Sequence, residues 1–168
     1  MEDKTQIVFK RVFDAPRETV WKYWTTPELV KKWWGPEHFY APSIKADFRV
    51  GGKYVYTMHG PAGTEFDKDM YSAGEYKEII PMEKLVVTDY FSDEEGNKLD
   101  PKEYGMPEGM PDEMVVTVLF EDVEDGKTLL SIVYHPENDE MYDAMMKTGM
   151  NEGWNSSLEK MAKAIMEG

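Results

Sequence analysis

Two periods run through the chain. A two-residue alternation, the mark of a half-buried strand, opens in "TQIVFKRVF" (5–13), where Ile7, Phe9 and Arg11 share a side against Val8, Lys10 and Val12. Helical spacing replaces it in "DAPRETVWKYW". There Asp14 is placed to cap, Pro16 suits a first helical turn, and Val20 and Trp24 lie four apart with Trp21 beside them. A second short helix is expected over 27–34, with Thr26 as its N-cap, Pro27 and Glu28 in its first turn, and Gly35-Pro36 ending it. Leu29 with Trp33, and Val30 with Trp34, form two rows at four-residue spacing. Adjacent helical residues point about 100° apart. Trp33 and Trp34 therefore cannot share a pocket: one is expected in the body of the fold and the other over a neighbouring surface.

Alternation then dominates. "SIKADFRV" leads through Gly51-Gly52 to "KYVYTMH", where Tyr54, Tyr56 and Met58 share a face. "MYSAGEYKEII", "EKLVVTDYF", "MVVTVLFED" and "KTLLSIVYH" follow, the last two joined by the hairpin signal Asp125-Gly126. Consecutive strands with short turns predict an antiparallel meander of about six strands. After Pro136 the helical period returns. Met146, Met150, Trp154, Leu158, Met161 and Ile165 predict one long helix over 137–166, with Trp154 buried on its inner side. Gly149 and Gly153 weaken that helix by about 1 kcal/mol each relative to alanine and leave a smooth strip beside Met150 and Trp154.

The element order predicts an α+β fold. A curved antiparallel sheet wraps a long C-terminal helix, and two short helices follow the first strand. At 168 residues the chain reads as a single domain, 1–168. Segment 92–112, rich in Pro, Gly and acids, stands out as a loop insertion, either a passive solvated excursion or a lid near a cavity mouth.

Composition narrows the chemistry. The net charge of −14 repels phosphate backbones and anionic bilayers, so neither nucleic acid nor membrane is an expected partner. The absence of cysteine removes disulfides, thiolate metal sites and thiol nucleophiles. "MEDKTQIVFKRVF" holds no apolar run of signal-peptide or membrane-span length, so the expected location is cytoplasmic. No P-loop, Gly-x-Gly-x-x-Gly, nucleophile elbow or zinc motif is present. Of the three histidines, His59 and His135 fall at strand ends, as does His59's neighbourhood of Asp67 and Asp69. A carboxylate–imidazole metal site can be drawn there, but no spacing requires it. No catalytic set, metal or cofactor is expected.

Adaptable and amphipathic surface is abundant instead. Trp34, Phe39, Tyr54, Tyr56, Met58, Tyr71, Tyr90, Met114, Met150 and Trp154 are the candidate ligand-binding residues. Methionine fills irregular shapes and tyrosine offers an apolar face with a polar tip.

"FDAPRETVWKYWTTPELVKKWWGP", "DFRVGG", "GEYKEIIPMEKLVVTDYF", "VTVLFED…GKTLLSIVYH" and "GMNEGWNSSLEKMAKAI", in this order, resemble the SRPBCC superfamily. Within it they resemble homologues of the heat-shock-protein-ninety ATPase activator domain. The resemblance covers about residues 6–166 and implies the helix-grip fold with a deep apolar cavity under the C-terminal helix. It fixes no activity. Three readings stand: a binder of a small hydrophobic or amphipathic molecule, an enzyme using cavity groups such as His59, Asp89 or a tyrosine, and a co-chaperone-like partner of a heat-shock ATPase. The oligomeric state is not legible.

Overall fold

The computed structural model describes residues 3–168. Seven strands form one antiparallel sheet: β1 (Ile7–Phe13), β2 (Ile44–Ala46), β3 (Lys53–His59), β4 (Asp69–Ile80), β5 (Lys84–Ser92), β6 (Met114–Val123) and β7 (Lys127–Tyr134). Their spatial order is β1-β7-β6-β5-β4-β3-β2, so β2 to β7 run as a meander and β1 returns to pair with β7. Helices α1 (Arg17–Thr25) and α2 (Pro27–Val30) follow β1, and α3 (Asp139–Met146) and α4 (Met150–Glu167) end the chain. This is the helix-grip arrangement.

The core gathers at one side of the sheet. Phe9 and Phe13 of β1, Val118 and Phe120 of β6, and Leu130 and Ile132 of β7 meet Val20 of α1 and Leu158 and Met161 of α4. Helix α4 packs chiefly on β1 and α1. The β3–β5 half of the concave face therefore has little helix above it.

The expected single helix over 137–166 is two. Gly149 adopts φ 79°, a left-handed conformation that breaks the α-helical path, and the Thr148 hydroxyl donates to Met145 O at 2.6 Å. Asn138 caps α3 by accepting from Met141 N at 2.8 Å. Other local readings also shift. Pro16, rather than Asp14, occupies the N-cap of α1, and no side chain caps that helix. Helix α2 is one turn, though Trp33 N and Trp34 N still donate to Val30 O. The expected strand "SIKADFRV" shrinks to Ile44–Ala46 because the chain turns back at 47–52, and a Cβ on Gly52 would lie 1.9 Å from Asp47 O. The hairpin at Asp125-Gly126 forms with both residues at positive φ, as its sequence requires.

Trp33 is 1% exposed, and its indole N–H donates to Tyr23 O at 2.9 Å. Its ring lies 5.1 Å from that of Trp24. Trp33→Ala is expected to cost about 3–5 kcal/mol in denaturant melts; a cost below about 1 kcal/mol would show that Trp33 is not a core anchor.

Candidate functional site

Under the unsupported half of the sheet lies a partly open cavity of about 400 Å³, walled by α4, the 34–39 turn and the 104–110 loop. A second, inner chamber of about 50 Å³ sits deeper against β3–β7. Trp34, Tyr56, Tyr134 and Trp154 line both, so they form the partition between them.

Trp34 answers the doubled tryptophan. While Trp33 is sealed in the core, Trp34 packs edge-on to Tyr56 at 4.8 Å and to Trp154 at 5.8 Å. Trp154 is half-buried rather than buried as expected, because one side of its ring faces the cavity. It is held by stacking on Trp24 at 5.9 Å and by donating its indole N–H to the Tyr134 hydroxyl at 2.9 Å. The turn after Trp34 is fixed from α4. Lys160 Nζ donates to Gly35 O and Phe39 O, each at 2.9 Å, and burial lowers its pKa. Gly153 also lines the cavity, and a Cβ built there meets nothing within 4 Å.

Segment 92–112 is neither wholly solvated nor featureless. Asp100 and Glu103 form a capping box on the 3₁₀ turn Pro101–Tyr104. The Tyr104 hydroxyl donates to Ser92 O at 2.8 Å and accepts from Tyr71 N at 3.2 Å. Tyr104, Met106 and Met110 thereby reach the cavity wall.

The inner chamber holds a carboxylate. Leu85, Val87, Asp89 and Phe91 alternate on the concave face of β5, so Asp89 projects among apolar neighbours. Gly74 makes this packing feasible. A Cβ there would lie 1.9 Å from Thr88 O, and in its absence Tyr54 crosses β4 and donates its hydroxyl to Thr88 O at 2.6 Å. The same hydroxyl is 3.4 Å from Asp89 Oδ1, a weak contact. Desolvation raises the Asp89 pKa to about 7, opposed by the Tyr54 hydroxyl and by the Tyr90 backbone N–H. Burial likewise pushes Tyr54, Tyr56 and Tyr134 well up and Tyr76 up to about 12.

Of the residues singled out in the sequence, Trp34, Phe39, Tyr56, Met58, Tyr71, Met114, Met150 and Trp154 meet at the larger cavity, and Tyr54 at the inner one. Tyr90 does not. It points to the opposite face of β5, donates to Gly96 O at 3.2 Å and lies under Lys98 Nζ. Pleating places Asp89 where Tyr90 was expected. The set omitted Asp89, Trp24 and Tyr134; the spacing of Asp89 puts it on one face with Leu85 and Val87, and the structure turns that face inward. His59 is engaged at both ring nitrogens, with Asp69 Oδ1 2.8 Å from Nδ1 and Asp67 Oδ1 2.9 Å from Nε2. These bonds raise its pKa. The carboxylates flank the ring from opposite sides, and no group able to hold a metal ion occurs among the described residues.

A carboxyl whose folded pKa is raised holds its proton where the unfolded chain has lost it. Its contribution to stability is full below about pH 3.8 and is lost as pH rises through about 7. Asp89→Asn is therefore expected to raise the melting temperature at pH 8 and change it little at pH 4. Paired thermal melts check this, and equal shifts at both values would contradict a desolvated carboxyl.

Comparisons with known proteins agree with this architecture. A solution structure of a protein from Arthrobacter aurescens is 27% identical, with a TM-score of 0.81 over 100% of this chain and 91% of that one. One from Staphylococcus epidermidis is 26% identical, with a TM-score of 0.73 over 99% and 93%. The crystal structure of the AHSA1 protein from Silicibacter pomeroyi shares the fold at 19% identity, with a TM-score of 0.70 over 96% and 98%. No curated protein matches the chain. No helix among the described residues is long and apolar enough to cross a membrane. The family model for activator of Hsp90 ATPase homolog 1-like proteins matches residues 14–166, a span reaching from the end of β1 to the last turn of α4, and the chain belongs to that family.

Proposed function

We propose that this protein binds one small hydrophobic or amphipathic molecule in the cavity between α4 and the β3–β5 half of the sheet. The observation that carries the reading is the cavity itself, about 400 Å³ and walled mainly by methionines and aromatic rings. That volume lies in the range of small-molecule sites, and the lining is adaptable rather than tightly interlocked. Tyr104, Met106 and Met110 make segment 92–112 a lid in this reading, since all three line the cavity. An enzyme would call for converging titratable groups, whereas the chamber offers one carboxyl among tyrosines that burial keeps neutral. The co-chaperone reading rests on the family description alone.

The neutral probe N-phenyl-1-naphthylamine is expected to bind saturably and about one-to-one. Gly153→Leu should block it without loss of stability, since its side chain enters open space and glycine is a poor helix former. Absence of saturable binding to the folded protein would overturn the proposal.

A further inference from the structure

We infer that the preferred ligand is a hydrophobic amine, seated with its protonated nitrogen on the Asp89 carboxylate in the inner chamber and its tail in the outer one. The inference rests on the binding reading above and adds the chemical class of the ligand.

Three observations carry it. Among the described residues Asp89 is the sole acid lining either chamber, and no Lys, Arg or His lines them. Its carboxylate is poorly served: the nearest side-chain donor, the Tyr54 hydroxyl, stands at 3.4 Å and is committed to Thr88 O at 2.6 Å. A half-buried carboxylate in apolar surroundings, offset only by the Tyr90 backbone N–H and a hydroxyl committed elsewhere, favours a cation beside it. Aromatic rings complete the seat. Trp34, Tyr56 and Trp154, packed at 4.8 to 5.8 Å, form the partition that such a ligand straddles, and aromatic faces attract ammonium groups. The net charge of −14 also concentrates cations near the protein.

No other charge competes inside. The groups around Asp89 are Tyr54 and Tyr56 on β3, Tyr76 on β4, Met114 on β6, Tyr134 on β7 and Trp154 on α4, and all are neutral at pH 7. An amine that is itself protonated well above pH 7 binds the ionised carboxyl. Its binding therefore releases a proton from Asp89 near neutrality and weakens as pH falls through about 7.

Octylamine, 1-octanol and 2-octanone, which share an alkyl tail, separate headgroup from cavity. Titration followed by tryptophan fluorescence and calorimetry at pH 8 is expected to show octylamine binding roughly tenfold tighter than octanol. The preference should shrink as pH is lowered to 6 and should vanish in Asp89→Asn, with octanol affinity unchanged. Equal affinities in the native protein at pH 8, a preference that survives in Asp89→Asn, or 2-octanone binding above octylamine would overturn the assignment. The last result would mark Asp89 as a neutral donor to a carbonyl. If Asp89→Asn does not fold, the pH series on the native protein decides by itself. Octanol binding without amine preference sinks only the amine; failure of all three to bind the folded protein sinks the cavity reading as well.

Discussion

One helix cannot cover the sheet it is gripped by. Seven strands about 4.8 Å apart span roughly 29 Å, while a helix with its side chains is about 10 Å across. Helix α4 spends its apolar stripe on β1 and α1, where Leu158 and Met161 are fully buried. The concave face of β3–β5 is left to be closed by something else. It is closed by rings and loops rather than by a second helix, and rings and loops do not fill it.

Closure without filling needs rigid supports, and polar contacts supply them. Lys160 gathers three carbonyls of the 34–39 turn, so that turn is tied to α4 rather than hanging over the cavity. The Trp154 indole is anchored on the Tyr134 hydroxyl, which links α4 to β7 across the partition. Tyr104 joins the 92–112 segment to both β4 and β5. Each is a directional bond to a backbone carbonyl, a backbone amide or a tyrosine hydroxyl, so each wall holds its position without dense packing on its inner side.

The same arrangement explains the state of Asp89. An apolar, water-poor space penalises a charge, and only the Tyr90 amide and a distant hydroxyl offset the penalty. A carboxyl kept under such tension opposes folding at neutral pH. Well-packed apolar residues would relieve it, so the chain carries a destabilising group in the wall of its inner chamber, the pattern expected where binding rather than stability sets the residue.

The sequence by itself determined the first strand, the short helices, the meander and the helical C-terminal region, because periods of two and 3.6 residues survive in the order of side chains along the chain, while the helix-grip class followed from the family resemblance. It also determined that Trp33 and Trp34 must part, since adjacent helical side chains diverge. Only the tertiary structure decided which tryptophan goes inward, because that depends on where Tyr23 and Trp24 stand. It decided that Gly149 breaks the helix while Gly153 does not: both residues look alike in sequence, and φ is set by how α3 and α4 pack. It also exchanged Tyr90 for Asp89 at the cavity. Alternation tells that neighbours on β5 face opposite ways, but which way is inward is fixed by the partner strands and the helix above them.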